Sequence, residues 1–480
     1  MEIAKKTNQM DLVDGSTREM IKKMILFTLP IIAIGLLELL YTAFDLIVVQ
    51  SFEGSKSAAA VGANNSLISL ITSGFMGLSN GVNVVIARCY GKNDKEKCER
   101  ALHTALMVAL IGGIAIGIFG ALMAKNFLTW MRVDSSYIDL ANQYLSIYFI
   151  GLPVLAIYNF GCAILRGTGN STTPLIFLFI AGLINVGMNY LFVYVFHFSV
   201  AGVAWATVIS ESISALLVML YLYYNHGFAV FRFKKFRIDR TCLNEILRIG
   251  IPSGIQGVVF SISNVILQSS VNTWGPEVVA ANSDASSIEG FTFVSIFAVT
   301  STASAFTSAN YGRGFKHNIK KIQITTIIMT IVIGLVFGLT TLAFSRQLLG
   351  IYMGNNVDPN VQSYAIQRLV VILTTYSLCG LMDTECGTLR GLGYSISPLI
   401  ITICFNCLFR VFWDFFVYSD DITSPMHSLG VLYACYPISW ALAFSAEMVV
   451  YFVNKKKINA KIDENLAKYE EINNITLKQA

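Results

Sequence analysis

The sequence predicts an all-α membrane protein of about twelve transmembrane helices, arranged as two pseudo-symmetric six-helix bundles. Three observations carry this. The 480 residues are 55% hydrophobic and only 13% charged, with a mean hydropathy of +0.62. A soluble chain of that length carries about a quarter charged residues. The apolar residues fall in blocks long enough to cross a bilayer as helix, and the second half of the chain repeats signals of the first.

Helices are expected near residues 24–50, 59–87, 101–124, 136–165, 174–196, 202–224, 245–272, 279–311, 321–344, 362–390, 396–419 and 428–453. Several exceed the ~20 residues needed to span, which implies tilt or extension beyond the bilayer. The basic residues test the order. With the N-terminus placed inside, 28 of the 34 Lys and Arg fall in inner segments and four in outer ones: Lys56, Lys125, Arg132 and Arg346. Arg368 and Arg410 lie within spans. That asymmetry puts both termini in the cytoplasm and calls for an even number of spans. The expected organisation is an N-terminal segment (1–23), a first bundle (24–224), a basic linker (225–244), a second bundle (245–453) and a charged tail (454–480). The location expected is the inner (cytoplasmic) cell membrane, multi-pass.

The net charge of +5 is not a nucleic-acid signal, because the basic residues sit in short loops between apolar blocks. The nine Cys fall mostly inside apolar blocks. Cys404-x-x-Cys407 has no second pair, so packing is the expected role rather than metal or redox chemistry. The first 20 residues are polar, and no cleavable signal peptide is expected.

The internal repeat is explicit. Cys162-Ala-Ile-Leu-Arg166-Gly167-Thr-Gly169 matches Cys386-Gly-Thr-Leu-Arg390-Gly391-Leu-Gly393 at an offset of 224. Tyr90-Gly91 matches Tyr311-Gly312 at 221, and Pro30 and Gly35 match Pro252 and Gly257 at 222. A six-span repeat gives both copies the same topology, the arrangement of transporters whose halves enclose a cavity and rock about it. The two Leu-Arg-Gly-x-Gly segments read as helix-to-helix turns anchored by Arg. They carry no P-loop Lys and follow no strand, which argues against a built-in ATPase. Gly113-x-x-x-Gly117 reads as close helix packing.

Ionisable residues at membrane depth mark function by default. Glu385 and Glu447 stand near inner ends of spans and Asp284 and Asp414 near outer ends, all within expected reach of water. The deep set is Glu38, Asp45, Glu211, Glu289, Asp383 and Arg410. The six N-terminal spans contain no Lys or Arg, so their three acids lack a basic partner inside the membrane. Arg410 can pair with Asp414 at i,i+4 or with a neighbouring helix. A buried carboxylate without a counter-charge must take up a proton or hold a metal cation. Asp45 is the lead coupling residue, with Glu38 and Glu211 behind it. Asn64, Asn185 and Asn189 could complete a Na+ site or a proton-linked hydrogen bond; helix-to-helix bonding explains them equally well. Tyr41, Tyr158 and Trp205 offer π-faces to a cationic compound, though packing accounts for them too. Gln256, Glu289 and Asp383 complete the candidate cavity residues.

The order of motifs resembles the multidrug and toxic compound extrusion (MATE) family. It runs through Leu29-Pro30-Ile31-Ile32, Leu40-Tyr41-Thr-Ala-Phe-Asp45, Ala59-Ala60-Val61-Gly62 and Ile86-Ala87-Arg88-Cys-Tyr90-Gly91. The two Leu-Arg-Gly-x-Gly segments, Asn185, Gly202-Val-Ala-Trp-Ala-Thr, Ile251-Pro252-Ser-Gly254-Ile-Gln256 and Asn310-Tyr311-Gly312 continue it. The resemblance covers roughly residues 20–455. It implies two six-helix bundles and cation-coupled efflux of bulky, often cationic organic compounds, with Asp45 at the coupling position, fifteen residues after Pro30. Three departures stand out. Asn189 replaces a frequent Asp, Glu38 stands where Gln is usual, and Gln256 occupies the region of a helix-7 Glu used for Na+ in one branch. Asp383 resembles a helix-10 acid of that branch.

The expected function is therefore secondary antiport of organic compounds against H+ or Na+. The alternative is a flippase or exporter of a lipid-linked or other endogenous metabolite. Its pyrophosphate would call for cationic residues that the N-terminal spans lack. A membrane enzyme or channel is the third class; no catalytic constellation supports it. Expected partners are membrane lipid, a small organic substrate and the coupling cation, with no nucleic acid, and a monomer is expected. No cofactor is expected beyond a transported Na+ or H+, and no metal beyond Na+ at Asp45.

Overall fold

In the computed structural model every regular element among the described residues is helical. The structure describes residues 12–13, 16–225, 227–353, 359–419, 424, 426 and 428–473. In hydrocarbon each backbone N–H and C=O must bond inside its own segment, which helix achieves.

The elements run α1 (Thr17–Glu53), α2 (Ser55–Gly91), α3 (Lys95–Trp130), α4 (Ile138–Gly167), α5 (Thr172–Asn189) and α6 (Ser199–Tyr224). Then come α7 (Arg240–Asn272), α8 (Pro276–Arg313), α9 (Lys316–Ala343), α10 (Ser345–Met353) and α11 (Pro359–Gly391). A broken span follows: α12 (Ile396–Ile401), a π-helical stretch (Thr402–Leu408) and α13 (Phe409–Phe416). The chain ends in α14 (Leu429–Asn473). Twelve helices among the described residues are long and apolar enough to cross a membrane, as the sequence predicts.

Three boundaries differ from expectation. The expected linker at 225–244 shortens, because α7 begins at Arg240. Asp239 caps it, accepting from Cys242 N–H at 2.9 Å. The charged tail is not separate: α14 continues unbroken to Asn473. The short α10 was not foreseen, because nine residues fall below the length of a span.

By contacts the chain divides into two units, and the divisions fall inside helices. Unit 1 holds Leu36–Gly250; unit 2 holds Leu12–Gly35 and Ile251–Ala480. In unit 1 a buried core of Val85, Leu102, Leu145, Leu152, Phe160 and Val218 joins α2, α3, α4 and α6. In unit 2 Ile288, Leu369, Leu373, Tyr433 and Trp440 do the same for α8, α11 and α14.

Small residues set the helix spacing. A Cβ on Gly113 or Gly117 would lie 2.5–2.6 Å from the α4 backbone at Pro153 or Phe149. Gly334 and Gly338 make the matching approach of α9 to Ser377 and Leu373 of α11, at an offset of 221. The expected close packing of Gly113 and Gly117 is therefore present, and so is a second copy that the sequence reading passed over. The two Leu-Arg-Gly-x-Gly turns are also equivalent. Gly169 (φ 85°) and Gly393 (φ 93°) take the left-handed conformation that makes the turn, where a Cβ would be strained.

Candidate cation-coupling site

Asp45 lies eight residues before the end of α1 and is 9% exposed. Asn185 and Asn189 stand four apart on α5, hence on one face. Asn189 ends the α-helical stretch, and the backbone passes into a π-helical turn at Tyr190–Val195. Such turns are frequent at functional positions, because they re-aim the side chains around them. Thr207 is the ninth residue of α6.

These elements close on one carboxylate. Asn189 Nδ2 donates to Asp45 Oδ1 at 2.5 Å and to Asn185 Oδ1 at 3.0 Å. Thr207 Oγ1 donates toward Asp45 Oδ2 at 3.3 Å and to its own helix at the Val203 carbonyl at 3.0 Å. A hydroxyl has one hydrogen, so Thr207 divides it between the two. Among the described residues no Lys or Arg pairs with Asp45. Asn189 Oδ1 is buried and carries no hydrogen bond. A carboxylate held by neutral donors beside an unused carbonyl oxygen can take a proton or coordinate a small hard cation.

Of the expected partners, Asn189 reaches Asp45 directly, Asn185 is joined to it only through Asn189, and Asn64 takes no part. Asn64 Nδ2 is spent on the carbonyls of Ala60 and Ala141, joining α2 to α4. Thr207 was missed, although it is the last residue of the Gly202-Val-Ala-Trp-Ala-Thr motif; a hydroxyl gives no charge signal. Glu211 lies in electrostatic range of both Glu38 and Asp45. Arg166, from the last turn of α4, lies in electrostatic range of Glu38, but among the described residues no Lys or Arg forms an ion pair with Glu38, Asp45 or Glu211.

The other candidates scatter. Tyr41 packs on α5, where a Cβ on Gly182 would overlap its ring. Tyr158 is buried, whereas Trp205 is 40% exposed. In unit 2, Glu289 is held by Arg368, with Nε to Oε1 at 2.7 Å and Nη2 to Oε2 at 2.9 Å, and Arg368 Nη1 also donates to Asn282 at 2.8 Å. Gln256 Nε2 donates to Thr402 at 2.8 Å, and its Oε1 accepts from Arg390 at 2.5 Å. Asp383 also feels Arg390.

Of the two partners expected for Arg410, Asp414 or a neighbouring helix, the structure shows the second: it donates to Ser439 of α14 (3.0 Å) and Asn264 of α7 (3.2 Å), while Asp414 accepts from Ser270 (2.7 Å). Arg410 and Asp414 both stand in the regular helix α13, so the i,i+4 spacing holds, but the Arg410 side chain turns to α14 and α7 instead. One correction falls in unit 2: Glu385 and Glu447, expected to reach water, are both 0% exposed, on α11 and α14, which pack against each other.

A family model described as MatE matches residues 30–191 and 252–416, one copy in each half of the chain. The chain belongs to the MatE family. The "Probable multidrug resistance protein YoeA" of Bacillus subtilis is 25% identical over 448 residues, covering 91% of this chain and 94% of that protein. The "FAD transporter" of Shewanella oneidensis is 20% identical, covering 73% of this chain and 78% of that one. Among solved structures, the "Outward-facing conformation of a multidrug resistance MATE family transporter of the MOP superfamily" superposes with a TM-score of 0.82 at 24% identity. It covers 95% of this chain and 98% of that one. The MatE fold, the multi-pass membrane character and membership of a multidrug efflux family follow. MatE proteins are transporters rather than enzymes.

Proposed function

We propose that this chain is a secondary antiporter of the cytoplasmic membrane, with both termini inside. In this reading it exports bulky cationic or amphiphilic organic compounds in exchange for H+ or Na+ by alternating access. The observation that carries the reading is the Asp45 carboxylate, buried and held by Asn189 and Thr207, with Asn185 behind Asn189 and no Lys or Arg paired to it among the described residues. Loading and unloading of a cation there changes what α1, α5 and α6 can hold together. That coupling between cation occupancy and helix arrangement is what antiport requires. Glu38 and Glu211 add negative charge nearby, which attracts the driving cation and a cationic cargo alike.

The test is drug accumulation in cells lacking their own exporters, comparing wild type with Asp45→Asn. Extrusion by wild type that disappears in Asp45→Asn supports the reading; undiminished extrusion in the variant refutes it. Substrate-triggered release of H+ or Na+ from the purified protein identifies the ion.

A second reading, export of an anionic metabolite, draws on Arg410, which is fully buried and bonded only to neutral groups. The similarity to a protein named as an FAD transporter points the same way. Competition of FAD against a cationic dye in the same accumulation assay separates the two cargoes.

A further inference from the structure

Unit 2 contains a second group of acids that the Asp45 site does not use. Glu447, on α14, is 0% exposed, and among the described residues no hydrogen-bond donor reaches either of its oxygens. Glu385, on α11, is also fully buried. Its two oxygens share one donor, Gln323 Nε2 of α9, at 2.8 and 2.9 Å. The same nitrogen lies 3.9 Å from Sδ of Met448, the residue after Glu447, so the amide sits between the two helices that carry the acids. Among the described residues the charged groups in electrostatic range of Glu447 are Glu385, Asp383 and Arg390, all on α11; α8 and α12, which also pack on α14, bring none. The groups that α9 and α7 bring to the cluster, Gln323 and Gln256, are neutral.

The charges do not balance. Three carboxylates face one guanidinium, and Arg390 directs its Nη2 to Gln256 rather than to any of them. Arg390 Nε is buried without an acceptor. Full ionisation would leave two surplus negative charges inside a helix bundle. Glu385 has a donor for its anion and Asp383 is half-buried, whereas Glu447 is fully buried with no donor among the described residues. A carboxyl in that position is held neutral by a proton. A metal cation fits less well. Such an ion wants several free oxygens, yet Glu385 already faces an N–H and the Gln256 carbonyl already faces Arg390.

We infer that Glu447 and Glu385, where α9, α11 and α14 meet, form a proton-binding site in unit 2, with Glu447 as the proton-carrying group. The site stands on this geometry alone; its use in coupling rests on the export reading above. Glu385 and Gln323 position it, and the partly exposed Asp383 and Arg390 link it electrostatically to the surroundings.

Infrared difference spectroscopy of the full-length protein in lipid vesicles tests the site. The expected result is a protonated-carboxyl carbonyl band at neutral pH that is lost in Glu447→Gln and shifted in Glu447→Asp. Gln323→Met, which removes the amide from Glu385, shifts the same band. Replacing choline by Na+ leaves it in place. A band of equal intensity in wild type and a folded Glu447→Gln overturns the inference, as does a band that Na+ abolishes. If Glu447→Gln does not fold, an unshifted band in both Glu447→Asp and Gln323→Met overturns it. In the same vesicles, protons exchanged per substrate exported should fall about twofold in Glu447→Gln, as expected when one of two proton-carrying groups is lost. Loss of the band with an unchanged ratio removes the site from coupling. Absence of any wild-type export with the band intact refutes the antiport reading and leaves the site standing.

Discussion

Asn189 donates one amide hydrogen to Asp45 and the other to Asn185, so a single side chain joins α1 to α5 at the buried carboxylate. The position immediately precedes a π-helical turn at Tyr190–Val195.

Replacing Asn189 by Leu should lower export about tenfold at a fixed driving gradient, since a hydrogen bond to a charged group is worth about 1.5–3 kcal/mol. Thr207→Val should cost less, about two- to threefold, because the Thr207 hydroxyl shares its hydrogen with Val203. Initial-rate dye export in vesicles measures both. Equal effects would mean that Thr207 does more than its geometry allows.

Gly182 is the surface on which the Tyr41 ring rests. Gly182→Ala should displace that ring and change which compounds are exported, with little effect on expression. Gly187→Ala on the same helix, where a new Cβ meets nothing within 4 Å, is the control. A panel of cationic dyes of different size provides the comparison.

The close approaches of α3 to α4 and of α9 to α11 should fail when filled. Gly117→Val and Gly338→Val should each cost about 1–3 kcal/mol, the range for overpacking a tight contact. Gly112→Val, which points into open space, should be nearly silent. Thermal unfolding in detergent, followed by loss of monodisperse protein, checks all three.

Arg368 and Glu289 form a two-point ion pair with side chains only 9% and 11% exposed. Removing one partner, as in Glu289→Leu, should destabilise by about 3–5 kcal/mol, because the other charge is left buried. The double variant Arg368→Met with Glu289→Leu should recover much of that loss. A double variant no better than the single would show that Asn282 and Tyr433, which also meet at this cluster, depend on the pair.

Outside the membrane, the Cys242 N–H holds the Asp239 carboxyl below its usual range, with Arg100 adding a smaller effect at 3.5 Å. A lowered folded value means stability present above about pH 4, the unfolded value, and lost as pH falls through the folded one. Asp239→Asn should therefore lose that contribution at neutral and alkaline pH, match wild type at the acid end, and remove the step between them. Unfolding midpoints across the acid range read this directly.

What the sequence determined by itself was everything written in one dimension. Block hydrophobicity gave twelve spans, since span length follows from bilayer thickness. The 224-residue offset of the Leu-Arg-Gly-x-Gly turns showed the repeat, and the absence of Lys and Arg from the first six spans marked Glu38, Asp45 and Glu211 together. Asn185 and Asn189 were legible because i,i+4 spacing fixes a shared helix face. The tertiary structure alone decided which helix brings what to whom. Thr207 reaches Asp45 across 162 positions, and Glu289 meets Arg368 across 79. Glu447, placed by its sequence position near water, is fully buried by the helices that pack on α14 instead. Burial and partnership depend on neighbours from distant parts of the chain, and hydropathy along one helix carries no information about them.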